Sequence, residues 1–265
     1  MVHVPAVTVH TGLPVVRAIR YVEPLREGGS LPGLVEGDDL GTYVVKFRGA
    51  GQGPKTLVAE IVVGELGRRL GIRVPDLVLV DLDDAIARRE PDPEIQALLL
   101  ASVGVNLGMD FLPRSLGYDG HGRRADADDA AKVLWLDALT VNVDRSWRNP
   151  NLLTWHGQLW AIDHGAALLF QHTWPGVEAF AARPYAIDDH VLAFAADRLP
   201  SVDAALAPQV TPSVLKEILT LVPDDWLPEV PGMDGAEPDA VRAVYADHLA
   251  ARAAASSAWL PAGGA

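Results

Sequence analysis

The sequence lacks cysteine altogether, and it is short of basic residues. Across 265 residues there is no thiol to form a disulfide, to ligate zinc or to act as a nucleophile. Basic residues number 22 against 35 acidic ones, which gives a formal net charge of −13. Because sequence-independent binding to nucleic acid needs a basic surface that neutralises phosphates, we expect no direct nucleic-acid binding.

Long apolar segments are also missing. The longest uncharged apolar run, residues 97–109, has 13 residues and is too short to cross a bilayer, so we expect no membrane span. The N-terminus has no basic segment followed by an apolar one, which predicts a cytoplasmic protein without a signal peptide.

The chain does have an ample apolar fraction, arranged as mixed strand and helix. Hydrophobic residues make up 49% of the chain, enough for a sizeable core in one large domain or two lobes. Apolar and β-branched residues predict strands over residues 15–22, 41–47 and 74–80. Apolar spacing predicts a helix over 56–70 that ends at Gly71.

The second part of the chain is predicted to be mostly helical. We place a boundary near residue 112, which gives an N-terminal lobe over 1–112 and a C-terminal lobe over 113–265. A helix over 126–141 leads into a polar segment, 142–151, and then into a hairpin that ends at Asp163.

Three polar residues of this region have the spacing that phosphoryl transfer uses. Asn149 follows Asp144 by five residues, and Asp163 follows Asp144 by nineteen, one hairpin later. The first carboxylate can accept the proton of an attacking hydroxyl, while the asparagine and the second carboxylate can hold magnesium. We therefore predict Asp144 as catalytic and Asn149 and Asp163 as metal ligands, with Asn151 as a rival ligand.

Structural explanations compete with these roles. An aspartate after a helix often forms an Asx turn, an asparagine before proline is a common turn former, and a strand-end carboxylate can cap the next turn. Histidines near the hairpin also raise the alternative of a hydrolytic metal site, but no closely paired ligands of that kind are present.

Lys46 is one of only four lysines, and it lies in the apolar strand 41–47. It is either an edge-strand lysine that faces solvent or a lysine kept for a tight ionic site, where arginine cannot replace it. The glycines that follow it and the downstream loop favour the second explanation. Glu60 is the predicted partner that positions Lys46 against nucleotide phosphates, and Glu65 competes for this role from another helical face.

These segments resemble a known family in content and in order. Residues 144–149 (Asp-Arg-Ser-Trp-Arg-Asn) resemble the catalytic loop of the protein-kinase-like superfamily, and their Asp-Arg start is similar to the loop of phosphoinositide kinases. Asp163, His164 and Gly165 are similar to the metal-binding Asp-Phe-Gly triplet. Over residues 15–175 the chain resembles the HipA-like kinases, which are small bacterial two-lobed kinases.

The resemblance implies an α+β, two-lobed, protein-kinase-like fold that uses ATP and Mg²⁺. The γ-phosphoryl group would pass to a hydroxyl of a protein serine or threonine or of a small molecule, with Asp144, Lys46 and Glu60 as catalytic residues. The implied nucleotide contacts are a phosphate-covering loop, the strand lysine and the linker 108–112 between the lobes: Gly28, Gly29, Ser30, Lys46, Met109, Asp110, Phe111 and Leu112.

Two features depart from the family. Its phosphate-covering loop often ends in Pro-Lys, whereas Gly33 follows Pro32 here, and the catalytic loop carries Trp147 and Arg148 where members of the family tend to have smaller residues. The missing lysine, together with a C-terminal lobe that is short for a protein-substrate platform, supports an alternative, a pseudokinase that binds nucleotide or a partner as a scaffold with little or no turnover. Trp147, inside the catalytic loop, is a candidate for a surface that meets the substrate.

Overall fold

A five-stranded barrel forms the first part of the computed structural model, which describes residues 12–25, 31–51, 53–120 and 125–260. The strands pair in the order β1-β2-β3-β5-β4, and a parallel pairing of β1 with β4 closes the barrel while the other pairs are antiparallel. Their bounds are β1 Val15–Pro24, β2 Gly33–Gly37, β3 Thr42–Lys46, β4 Leu77–Leu82 and β5 Gly104–Asp110.

Helices dominate the second part, beside a small three-stranded sheet of order β6-β7-β8. Three helices belong to the barrel region, α1 Pro54–Arg69, α2 Asp84–Ala87 and α3 Pro93–Ala101. The remaining elements are β6 Leu116–Gly117, α4 Ala127–Thr140, β7 Leu152–Trp155, β8 Gln158–Ala161, α5 Phe170–Thr173, α6 Val177–Ala181, α7 Leu199–Leu206, α8 Pro212–Leu219, α9 Pro238–Ala254 and α10 Ser256–Trp259. Short 3-10 turns cover Ala193–Arg198, Ala207–Gln209 and Asp224–Trp226.

Strand β4 begins three residues later than the sequence pattern predicts. The carbonyl of Val74 accepts a hydrogen bond from Arg68 Nη1 at 3.0 Å, and the carbonyl of Arg73 accepts one from the N–H of Ala161 at 2.8 Å. Pro75 has no N–H to give to a neighbouring strand. The backbone of 73–75 is therefore bonded outside the barrel, and pairing starts at Leu77.

The predicted linker 108–112 is divided between a strand and a connection. Gly108 pairs with both Val45 and Val78 inside the barrel, and β5 continues to Asp110. An added Cβ at Gly108 would lie 2.6 Å from Val80 Cγ2, so this close approach of strands requires glycine. Phe111 and Leu112 follow the end of β5, and the N–H of Phe111 still donates to the carbonyl of Thr42 in β3 at 3.0 Å.

Helix α1 lies in an apolar core that is continuous from the barrel to the C-terminal helices. Ten of its 16 residues are buried. The core joins Leu77, Leu79 and Leu107 of the barrel strands to α1 and onward to α4 and α9. A second apolar cluster fills the barrel interior. Among the described residues, no helix combines the length and the apolar character that crossing a membrane requires.

Candidate active site

Lys46 ends strand β3 and faces away from the barrel interior. Alternation along the strand buries Tyr43 and Val45, while Val44 and Lys46 line a cleft on the opposite face. Lys46 Nζ lies 2.5 Å from Glu60 Oε1 and 2.7 Å from Asp163 Oδ1. Lys46 thus joins residues from a strand, a helix and the end of the downstream hairpin, which are up to 117 positions apart in the chain.

Glu60, not Glu65, is the residue that pairs with Lys46. The Glu60 side chain is fully buried on α1, and it also accepts a hydrogen bond from the backbone N–H of His164. Glu65 lies on another face of the same helix, where it contacts Arg68 at 3.5 Å. The sequence left both carboxylates as candidates. Glu60 pairs with Lys46 because the face of α1 that carries Glu60 is the one that meets β3.

Lys46, Glu60 and Asp163 affect one another's pKa because their charged groups lie in contact. Burial raises the pKa of the Glu60 carboxyl, and the charge of Lys46 offsets this only in part. Burial also acts to raise the pKa of Asp163, but the charge and hydrogen bond of Lys46 outweigh it and hold that pKa below its usual range. Asp163 is accordingly ionised near neutral pH, and 40% of its side chain is exposed.

A cleft of about 690 Å³ adjoins Lys46 and Asp163. Its apolar lining includes Val44, Leu107, Met109, Leu152 and Ile162, and its polar lining includes Lys46, Asn149, Asn151 and Asp163. Of the predicted nucleotide contacts, Met109, Asp110, Phe111 and Leu112 line this cleft as well. Gly28, Gly29 and Ser30 lie outside the described residues. The space is large enough for a nucleotide-sized ligand.

The predicted catalytic loop begins where α4 ends. Asp144 Oδ2 accepts a hydrogen bond from Asn149 Nδ2 at 2.8 Å, and the Asp144 carbonyl accepts one from Asn151 Nδ2 at 2.9 Å. Both asparagines line the cleft. Trp147 points outward with 57% of its surface exposed, and the guanidinium of Arg148 lies 4.2 Å from its ring centroid.

Arg145 is a buried residue of the candidate site to which the sequence analysis assigns no role. Its side chain is fully buried, and Nε donates to Asp137 Oδ2 at 2.5 Å. Asp137 also accepts from Asn142 Nδ2 at 2.9 Å and contacts His190 Nε2 at 3.1 Å. Burial raises the pKa of Asp137, but Arg145 and His190 outweigh it and hold the carboxyl well below its usual range. The sequence feature that could have indicated this contact is Asp137, an aspartate inside the otherwise apolar helix segment 133–139.

The other end of Arg145 contacts the segments on both sides of the cleft. Its Nη1 donates to the carbonyl of Asn151 and, at 3.1 Å, to the carbonyl of Ile162. Its Nη2 lies 3.3 Å from His164 Nδ1. Burial, and next the charge of Arg145, lower the pKa of His164 to about 3, so the imidazole is neutral and its Nδ1 can accept.

The cleft offers a small set of hard oxygen ligands that would suit magnesium. Asp163 offers an ionised carboxylate, and the Asn149 amide, whose nitrogen faces Asp144, can offer its oxygen to a cation. Asn151 remains a geometric rival because it lines the same cleft. No group of three or more His, Asp or Glu side chains poised to hold a metal occurs in the described part of the chain.

Comparison with known proteins places the chain in a family. The family model described as HipA-like kinase matches residues 18–252. A search of curated proteins found no significant match.

Two solved structures share the fold. The Helicobacter pylori proinflammatory kinase CtkA superposes with a TM-score of 0.54 at 13% sequence identity, covering 91% of this chain and 98% of that one. The Golgi casein kinase with Mn/ADP bound superposes with a TM-score of 0.50 at 14% identity, covering 94% of this chain and 74% of that one. At such identities the likeness concerns the fold, and it confirms the predicted α+β, two-lobed, protein-kinase-like class.

Proposed function

Because the chain belongs to the HipA-like kinase family, we propose that it transfers the γ-phosphoryl group of ATP, bound with Mg²⁺, to a hydroxyl group. The observation that carries this proposal is the contact of Lys46 with both Glu60 and Asp163 at the edge of the cleft. A strand lysine held by a helix glutamate, beside a carboxylate one hairpin after the catalytic loop, is the arrangement that phosphoryl transfer requires.

Each side chain has a proposed task in this reaction. Lys46 binds the α- and β-phosphates, and Glu60 holds Lys46 in place. Asp144 accepts the proton of the acceptor hydroxyl as that oxygen bonds to the γ-phosphorus and the bond from this phosphorus to the bridging oxygen breaks, which releases ADP. Asp163 and Asn149 hold magnesium, which neutralises charge on the phosphates when it is bound.

The adenine ring is proposed to occupy the apolar part of the cleft. Val44, Leu107 and Met109 line it from the barrel strands, and Leu152 and Ile162 line it from the hairpin side. Burial of a flat apolar surface between these side chains supplies affinity, while the backbone at Asp110–Leu112 would orient the base through groups other than the N–H of Asp110 and of Phe111, which donate to the carbonyls of Asp76 and Thr42. The acceptor can be a protein serine or threonine or a small molecule.

One observation supports the alternative of a nucleotide-binding scaffold. Gly33 is the first residue of β2, and an added Cβ there would lie 2.5 Å from Tyr21 Cε2. A lysine there, as often ends the family's phosphate-covering loop, would have to displace the Tyr21 ring, and glycine offers no amine to a phosphate. A scaffold would bind nucleotide at the same cleft and show no turnover that depends on Asp144.

The deciding variant is Asp144→Asn. An asparagine retains an oxygen that can accept from Asn149 Nδ2, but it cannot take up the proton of the acceptor. We expect turnover at saturating Mg-ATP to fall by roughly 10²–10⁴-fold, with ATP affinity nearly unchanged. The measurement is ATP hydrolysis or autophosphorylation, with nucleotide binding followed separately.

Asp189→Asn is the matched control. Asp189 also lies beside the catalytic loop, 75% of its side chain is exposed, and its carboxylate is 3.9 Å from Arg148. This variant removes a nearby charge without touching the proposed base, and turnover should stay within about twofold of wild type. Equal turnover in wild type and Asp144→Asn would rule out Asp144 as the base, and binding without any turnover would favour the scaffold.

A further inference from the structure

Arg145 connects the two segments that carry the proposed chemistry. From one side it contacts Asp137 of α4, and from the other it contacts the carbonyl that ends the loop 144–151 and the carbonyl of Ile162. It also contacts His164, so its partners lie immediately before and immediately after Asp163 in the chain. A single guanidinium thus fixes Asp163 from both sides.

The backbone around these contacts needs such support. The φ angles of Val141, Asn151 and Asp163 are 54°, 49° and 54°. They lie in the left-handed region, which residues other than glycine adopt at an energetic cost. The three residues stand directly after α4, at the end of the loop 144–151 and at the proposed metal-binding aspartate. Unfavourable conformations of this kind persist only where surrounding contacts fix them, and they concentrate at functional sites.

Stability alone is a poor explanation for the arrangement. Taking a guanidinium and a carboxylate out of water costs several kcal/mol per ion, and apolar replacements of buried ion pairs are often neutral or stabilising. Lysine would supply the charge, yet it would lack the planar set of donors that reaches Asp137, two carbonyls and an imidazole together. The geometry of the donors is what this position uses.

We propose that Arg145 is a positioning residue that sets the distance between the proton-accepting Asp144 and the metal-side Asp163. This inference rests on the proposed function, because the two aspartates act on opposite sides of the transferred group. Arg145 touches neither substrate nor nucleotide; it acts through the backbone that carries both aspartates. A displacement of about 1 Å between reacting groups can lower a rate by about 10²-fold.

The test compares Arg145→Lys with a second arginine-to-lysine change remote from the cleft. Arg242 is 13% exposed in its side chain and donates to the carbonyls of Leu219 and Val222 and to two carboxylates, so it is a similar anchor in the α8–α9 region. Both full-length variants are measured for melting temperature, for ATP binding, and for kcat and KM at saturating Mg²⁺.

We expect Arg145→Lys to lower kcat by about 10²-fold while KM for ATP changes less than about threefold. Arg242→Lys should lose comparable thermal stability but keep kcat within about twofold. If Arg145→Lys keeps the wild-type kcat, or if Arg242→Lys loses as much activity, then Arg145 serves stability only and the inference is wrong.

Amide hydrogen exchange separates this inference from the proposed function. The N–H of Ile162 bonds to the carbonyl of Asn151 at 3.1 Å, and that of Ser146 bonds to the carbonyl of Asn149 at 3.1 Å. Arg145→Lys should accelerate exchange in segments 146–151 and 162–164 beyond the acceleration in Arg242→Lys. If the wild type shows no turnover, the proposed function is refuted, and hydrogen exchange still tests the role of Arg145. Unchanged exchange in these segments would overturn the positioning role.

Discussion

At Lys46, one cation faces two carboxylates that differ in their access to water. The Glu60 side chain is fully buried, whereas that of Asp163 is 40% exposed. Solvent can stabilise Asp163 if the lysine is removed, but Glu60 would be left in the core as a charge without an opposite charge beside it. Breaking a buried ion pair from one side costs about 3–5 kcal/mol, partly relieved when the carboxylate takes up a proton.

We therefore predict that Lys46→Ala lowers the urea midpoint of unfolding and that the double variant Lys46→Ala/Glu60→Gln recovers most of the loss. Glutamine retains the size of Glu60 and removes its charge. Neither variant should bind Mg-ATP as wild type does, because both lack the amine that we propose binds the phosphates. A Lys46→Ala protein with the wild-type urea midpoint would show that the pair adds nothing to stability.

At the scale of elements, α1 contains two glycines that test how tightly it is packed. An added Cβ at Gly64 would lie 3.4 Å from Leu77 Cδ1, an ordinary contact, whereas at Gly67 it would lie 3.0 Å from Leu136 Cδ2. Alanine favours a helix interior over glycine by about 1 kcal/mol. The two positions thus share the same gain in helix propensity and differ in available room.

We predict that Gly64→Ala raises the free energy of unfolding by up to about 1 kcal/mol. Gly67→Ala should gain less or lose stability, because Leu136 is fully buried and has little freedom to move. Urea denaturation of the two variants with wild type measures the difference. Equal changes at both positions would mean that α1 is packed more loosely than the structure indicates.

Prediction from sequence succeeded where a pattern is local. The strand around Lys46, the helix around Glu60 and the hairpin before Asp163 follow from apolar spacing and turn residues, and their relative order carried the family resemblance. The start of β4 could not be predicted in this way, since it depends on which groups donate hydrogen bonds to the carbonyls of residues 73 and 74. Nor could the contacts of Arg145, because folding alone brings its guanidinium to the carbonyl of Ile162 and to His164, 17 and 19 positions later.

For the whole molecule, nucleotide binding should appear as thermal stabilisation. A ligand at 100 times its Kd that binds only the folded state adds about 2.7 kcal/mol, which shifts the melting temperature by roughly 5–10 °C in a chain of this size. We predict such a shift with Mg-ATP and a smaller one with ATP and a chelator. No shift at millimolar Mg-ATP would contradict the proposed function.

Asp163→Asn supplies the matched variant for this measurement. Asparagine adopts positive φ more readily than most residues, so it suits the backbone at φ 54° while it lacks the charge that attracts magnesium. The unliganded variant should melt near wild type, and the difference between Mg-ATP and ATP with chelator should disappear. A variant that retains this difference would make Asp163 a structural residue at the end of the hairpin.

The position of α1 inside the continuous core limits how far the helix can move. Drawing Glu60 away from Lys46 by swinging the helix outward would expose a row of apolar side chains, each worth about 1.5–3 kcal/mol of burial. We expect the helix to act as a fixed wall. If the proposed nucleotide binds in the cleft, we expect it to enter and leave past Glu23, Pro24, Leu25 and Pro32, which line the cleft near the end of β1 and the start of β2.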